Sequence, residues 1–327
     1  DKKNSCSIVK KTNFIFSVPE TEGSGIMSML DFRYFRCVMK REWQCPDSEI
    51  NFFLYTPERP FKQWVDVRHK KLLDAYGYNP MRKNVFIIHG FNGTYSKTPM
   101  TFIRDAYLSR KDYNVFMIDW SPLTRFPCYL SSLSNMKLAA QCTAQLYSHI
   151  MSAGALARMT TCVGHSLGAH ICGMMSNHLS KKQYKIVGLD PARPLVSAYG
   201  SRLFRLGRDD AHVVQVVHTN AGFLGETGLV GHADFCVNGG RMQPGCHGHL
   251  MRMSRCSHFM SSCYFAASVR RRVRMVGVPC DTSCPKERGR WGIKLDRRAV
   301  LLGDDVPDTS RGMYCVRLDH NENCPFD

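Results

Sequence analysis

The amino-acid sequence predicts an α/β chain: a mostly parallel central sheet with helices on both faces. Three observations carry that prediction. Short runs nearly continuous in Val, Ile and Phe match strands buried on both faces. Stretches with Ala, Leu and Ile at helical spacing separate these runs, the alternation of a doubly wound sheet. A Gly-x-Ser-x-Gly stands where one run ends and a helical stretch begins.

In chain order, residues 50–56, 84–89, 113–119, 160–163, 185–189 and 212–217 read as the strands. Residues 135–151 and 167–179 read as helices. No internal repeat, low-complexity segment or Pro/Gly/Ser-rich linker divides the chain, so residues 1–327 are expected to form one domain.

The composition narrows the class. Hydrophobic residues make up 44% and aromatics 11%, enough for a sizeable core, which excludes global disorder. No apolar run approaches the roughly 18–20 residues of a membrane span. With 15 cysteines the chain suits an oxidising compartment, and secretion is expected. Cys37/Cys45, Cys246/Cys256, Cys280/Cys284 and Cys315/Cys324 read as tight, loop-like pairs. The odd count leaves at least one thiol free, and Cys162 and Cys172, in apolar stretches, are the candidates. Zinc at Cys280 and Cys284 lacks a second compact pair behind it, so no metal and no cofactor is expected. The chain opens on Asp1 without a signal-like apolar stretch, which reads as a trimmed, mature form.

A net charge of +17 permits nucleic acid, an anionic membrane surface or plain solubility. Residues 251–300 carry a net +9, densest at 269–274. Neither a recognition helix nor an aromatic stacking sheet accompanies it, so nucleic acid is not the expected partner.

The chemistry concentrates at 163–170, Val-Gly-His-Ser-Leu-Gly-Ala-His. Gly164, His165 and Gly168 frame a nucleophile elbow: a strand-to-helix turn so sharp that the flanking positions tolerate almost no side chain. The turn lifts the Ser166 hydroxyl above the sheet, and the following helix aims its first amides at developing negative charge. A serine nucleophile needs a base, and the base an orienting acid. Asp190, at the end of the next strand, is the candidate acid. For the base, His218 at the end of the following strand is the simplest choice. His232, His247, His249, His258 and His320 also follow the acid, and spacing does not separate them. Leu167 supplies one oxyanion-hole amide, and the loop 89–93, His-Gly-Phe-Asn-Gly, is a fitting second source.

Five segments in order now carry a resemblance: Ile-His-Gly-Phe at 88–91, Gly-His-Ser-Leu-Gly at 164–168 and Gly-Leu-Asp-Pro-Ala at 188–192. The others are Asp234 through Gly240 with Gln-Pro-Gly-Cys at 243–246, and Cys-Ser-His at 256–258. From about residue 50 onward the chain resembles the pancreatic-lipase-like esterases. That family of α/β-hydrolase fold includes triacylglycerol lipases, animal phospholipases A1 and yolk-protein relatives. The resemblance implies Ser166 as nucleophile, Asp190 as acid and His258, not His218, as base, with Phe91 and Leu167 donating the oxyanion-hole amides. It also implies that Cys246 and Cys256 close a lid.

Only residues 247–255 lie inside that lid, and only 220–230 inside the loop after His218-Thr219, the short versions that resemble the phospholipase A1 branch. Leu250, Met251 and Met253, between and beside Arg252 and Arg255, could enter a lipid surface. The family's structural calcium pattern, Arg-Leu-Asp-x-x-Asp, becomes Arg-Leu-Gly-Arg-Asp-Asp at 205–210, so calcium is not expected. The chain stops soon after Tyr314, so no C-terminal β-sandwich and no colipase-type partner is expected. Asn92-Gly93-Thr94 is a glycosylation sequon beside the oxyanion loop.

The expected activity is that of a secreted serine ester hydrolase of lipids, a phospholipase A1 at an anionic interface with peripheral membrane contact. A triacylglycerol lipase or broad carboxylesterase is the alternative, and a non-catalytic lipid-binding or storage protein the second.

Overall fold

The structure, a computed structural model, describes residues 37–69, 71–271, 274–280, 283–285 and 298–318. Eleven strands form one sheet in the order β10-β9-β11-β8-β7-β6-β5-β3-β4-β1-β2. They are β1 (Asn51–Tyr55), β2 (Gln63–Trp64), β3 (Lys83–Ile88), β4 (Tyr113–Asp119), β5 (Thr160–His165) and β6 (Gln183–Leu189). The set is completed by β7 (Ala211–His218), β8 (Ala233–Val237), β9 (Val276–Cys280), β10 (Val300–Leu301) and β11 (Gly312–Val316). From β4 through β3, β5, β6, β7 and β8 to β11 every pairing is parallel. The strands beyond, β1 and β2 at one edge and β9 and β10 at the other, pair antiparallel.

The helices are α1 (Lys71–Ala75), α2 (Met100–Ser109), α3 (Tyr129–Ser152), α4 (Leu167–Met174), α5 (Val196–Tyr199) and α6 (Leu250–Val269). Strand alternation sends side chains to two separate cores. Phe86, Ile88, Phe116, Ile118 and Ile186 pack with α3 and α4, while Val85, Ile87, Val115, Met117 and Val187 pack with α2 and α6. Both faces of the central strands are therefore dry, which is why they read as unbroken apolar runs.

All six predicted strands form, extended by a residue or two in several cases. Five further strands add to them. β8 and β11 lack the Val/Ile signature because Asp234 lies inside one and Gly, Met, Tyr and Cys dominate the other. The helix predicted from 135 begins at Tyr129, through a Ser-rich turn whose Ser132 hydroxyl bonds back to the Cys128 carbonyl oxygen. The one predicted over 167–179 ends at Met174 and tightens into a 3-10 turn, Met175–His178.

The cysteine reading needs correction. Cys37 bonds Cys128 and Cys45 bonds Cys142, each across more than 90 residues. Cys280 bonds Cys315 and Cys236 bonds Cys284, so of the four adjacent pairs only Cys246–Cys256 forms as read. Cys324 lies outside the described residues. Cys162 and Cys172, taken as free thiols, are bonded to each other, and Cys263 is disulfide-bonded as well. Closeness along the chain is not the criterion. Strand and helix packing brings these Cα atoms to 5.2–5.8 Å, the separation a disulfide needs.

Much of the basic segment 251–300, including Arg272, Val273 and residues 286–297, lies outside the described residues. Among the described residues no helix is long and apolar enough to cross a membrane.

Candidate active site

Four adjacent parallel strands end in line, with Ile88 opposite Gly164, Gly164 opposite Gly188 and Leu189 opposite Val217. Just beyond these ends stand His89–Phe91, Ser166, Asp190 and Thr219, gathered at the carboxyl edge where sheet enzymes place functional groups.

Ser166 closes β5 and caps α4 with φ 57° and ψ −120°, a strained position for a residue with a side chain. The turn survives because its neighbours have no Cβ. A Cβ on Gly164 would meet the Gly168 carbonyl, and one on Gly168 the Ile88 carbonyl, both at clashing distance. Ser166 N–H donates to Leu189 O at 3.0 Å, which ties the elbow to β6. The Cys162–Cys172 disulfide spans the same turn from strand to helix. This staple had no signal in the sequence beyond two apolar-flanked cysteines.

The structure brings His258, not His218, to the candidate acid: Asp190 Oδ2 accepts from His258 Nδ1 at 2.6 Å. Asp190 is fully buried, and its Oδ1 accepts the amides of Thr219 (2.9 Å) and Asn220 (3.0 Å). Gly225 closes over it, since a Cβ there would collide with the carboxylate. His258 sits on α6 and is itself mostly buried. Its backbone carbonyl accepts Nε2–H of His165 at 3.1 Å, and the two rings stand 4.5 Å apart. Burial, then the adjacent His258, pushes the His165 pKa well down, so it acts as a neutral donor. His165, the residue before the serine in the elbow, thus tethers the helix turn that bears His258. The Thr219 and Asn220 amides, Gly225 and this tether were not legible in the sequence, because backbone donors leave no residue-type signature.

On the other side, Trp120 donates Nε1–H to the His89 carbonyl oxygen at 2.9 Å and stacks on the His89 ring. Phe91 meets Tyr129 edge-on at 5.0 Å, and Tyr129 Oη donates to Pro194 O at 2.9 Å. Leu167 opens α4, so its amide has no intrahelical acceptor. Nor does an acceptor among the described residues take up the Phe91 amide. Asn92 is exposed, but its Oδ1 accepts Phe126 N–H at 3.3 Å, so the sequon side chain helps hold this loop.

The remaining candidate histidines lie elsewhere. His218 pairs with Asp234, His232 Nδ1 accepts Val214 N–H, and His249 caps α6. His320 lies outside the described residues. The Cys246–Cys256 bond closes residues 247–255, and α6 begins within them at Leu250, so most of the enclosed segment is helical. Leu250 and Met251 are exposed and Met253 half-buried. Among the described residues no cluster of His, Cys, Asp and Glu is arranged to hold a metal. At 205–210, Asp210 Oδ2 instead accepts Gly207 N–H at 2.8 Å.

Chemically, a buried Asp–His pair beside a strained serine, with two free amides nearby, is equipped to activate a hydroxyl and stabilise an oxyanion.

A family model described as Lipase matches residues 28–286. The chain is 34% identical over 238 residues to lipase member H-A of Xenopus laevis, covering 71% of this chain and 51% of that protein. It is 31% identical over 252 residues to phospholipase A1 of Vespula squamosa, covering 72% and 83%. The chain thus spans about half the length of the lipase member H relatives it matches. Among solved structures, an alpha/beta hydrolase enzyme from a deep-sea metagenome library aligns with TM-score 0.34 and 15% identity, over 54% of this chain and 72% of that one.

Proposed function

The chain belongs to the lipase family, and on that premise we propose that it is a secreted serine hydrolase of lipid carboxyl esters, a phospholipase A1. The observation that carries the reading is the 2.6 Å contact of His258 with Asp190 beside the Ser166 elbow. Ser166 Oγ attacks the sn-1 ester carbonyl carbon while His258 Nε2 takes its proton. Asp190 holds the Nδ1–H tautomer and stabilises the imidazolium. The oxyanion is received by the Phe91 and Leu167 amides, worth about 3–4 kcal/mol per donor in comparable sites. Collapse expels the lysophospholipid alkoxide, protonated by His258. Water deprotonated by the same residue then releases the fatty acid.

The relative named phospholipase A1, the nine-residue lid and the short 220–230 loop support a phospholipid over a triacylglycerol. An interface is favoured by where the apolar side chains lie. Phe126, Leu130, Leu195, Leu250 and Met251 are exposed, on segments that follow the carboxyl ends of the strands. Arg193, Arg241, Arg252 and Arg255 border the same edge, and none forms a salt bridge among the described residues. Such cations suit an anionic head-group layer, at roughly 1 kcal/mol each when well placed. The disulfides support an extracellular setting.

Position-resolved hydrolysis of phosphatidylserine, phosphatidylcholine and triolein tests the reading. Fatty acid should leave sn-1 of the phospholipids, more slowly on anionic vesicles as salt rises. Ser166→Ala should abolish turnover with an unchanged fold. Preference for triolein points instead to a neutral-lipid lipase. Failure of a serine-directed phosphonate to label Ser166 points to a non-catalytic lipid binder.

A further inference from the structure

His218, the simplest sequence candidate for the base, occupies a different and unassigned position. It is fully buried at the end of β7, one residue before the Thr219 and Asn220 amides that hold Asp190. Its Nε2 faces Asp234 Oδ2 at 2.8 Å, and its Nδ1 faces the Glu226 carbonyl oxygen at 3.2 Å. Both partners are acceptors only. A neutral imidazole carries one N–H, so one ring nitrogen would face an oxygen with no proton between them. Two donated bonds require the imidazolium.

The surroundings suit a buried cation. Asp234 also accepts the amides of Val230 and Gly231, each at 2.7 Å, so both of its oxygens act as acceptors. The charged groups facing the ring are Asp234 from β8, Asp190 from the end of β6 and Glu226 from the intervening loop. Burial pulls the His218 pKa down, but the bond and charge of Asp234, with the charge of Asp190, outweigh it, and the net direction is up.

Mechanically, the ring gathers three points of one loop. The loop starts at His218 itself, is held midway through the Glu226 carbonyl, and ends at Val230 and Gly231 through Asp234. The same loop places Gly225 against the Asp190 carboxylate, and Glu226 N–H donates to Pro191 O at 2.8 Å. We infer that His218 is a positioning residue held as an imidazolium, which pins the 219–231 loop and through it aims Asp190 at His258. The inference rests on the triad proposed above.

Ring-15N-labelled histidine NMR of the full chain, with His218→Gln to assign the signal, tests it without reference to activity. Both His218 ring nitrogens should read as protonated at pH 7, while His170 reads as a neutral ring. A neutral His218 tautomer at pH 7 overturns the inference. In the second arm, folded His218→Gln should lose at least tenfold in kcat on a soluble p-nitrophenyl ester, with KM within twofold. Its acid limb should move to higher pH, because the variant removes the cation that interacts with Asp190. A folded variant with wild-type kcat and an unmoved limb also overturns it. If the variant does not fold, the wild-type ring spectrum decides alone. If the wild type hydrolyses no ester, the triad reading fails separately, and the spectrum still reports the charge on His218.

Discussion

The elbow and the acid loop hold the two ends of the proposed triad by different means. On the elbow side, the Cys162–Cys172 bond joins β5 to α4, and buried His165 and His170 are neutral. His170 shows why: its Nε2 donates to Ala192 O at 2.7 Å, while its Nδ1 accepts Leu206 N–H at 3.0 Å. One nitrogen meets an acceptor and the other a donor, so the neutral ring satisfies both, and burial pushes its pKa down to about 4. On the acid side no disulfide spans the 219–231 loop among the described residues, and His218 meets two acceptors. Identical residues at similar burial thus differ in charge because of what faces each ring nitrogen. Covalent and neutral supports on one side stand against an ion pair on the other, so pH should act on the two sides in opposite directions.

The largest expected effect comes from Asp190→Asn, which keeps the shape of the acid loop but removes the charge it was built to hold. A fall in kcat of about 10⁴-fold is expected, read by single-turnover acylation with a soluble ester. A loss under tenfold would mean that the acid loop does not serve His258. Next in size is the acid response of the elbow side. His170 has a folded pKa below its unfolded value, so the stability it contributes is fully present above about pH 6.5. That contribution drains as pH falls toward 4 and amounts to about 3 kcal/mol. His170→Gln should flatten the drop in urea midpoint between pH 7 and pH 4.5. For His218 the sign reverses: its folded pKa is raised, so its contribution is present below about pH 6.5 and is lost as pH rises. Slightly smaller is the staple. Removing a bond that closes a ten-residue separation, by Cys162→Ala with Cys172→Ala, should cost about 2–3 kcal/mol. Calorimetry should show that loss while kcat stays within a few-fold. A collapse of kcat in the folded double variant would mean that the disulfide shapes the elbow rather than merely steadying it.

Legibility divided along the same line. The central strands were readable because burial on both faces writes itself as Val, Ile and Phe, and the elbow because its glycines are forced by contact. The acid loop was not, since amides carry no residue-type signal and Asp234 disguises β8 as a polar turn. The choice among histidines needed either the fold or a family resemblance. His218 is nearer Asp190 in sequence, yet α6 delivers His258 from 68 residues away. Disulfide partners failed for a related reason, because the sheet and helices decide which cysteines meet.

The proposed lid and the proposed base share one helix. α6 starts at Leu250 inside the Cys246–Cys256 ring and runs unbroken past His258. At about 1.5 Å per residue the two positions lie roughly 12 Å apart on a single rod. A hinge between them would have to melt helix. A bilayer that takes up Leu250 and Met251 therefore fixes the depth and tilt of the imidazole as well. Docking becomes the alignment step, and catalysis should begin without a lag.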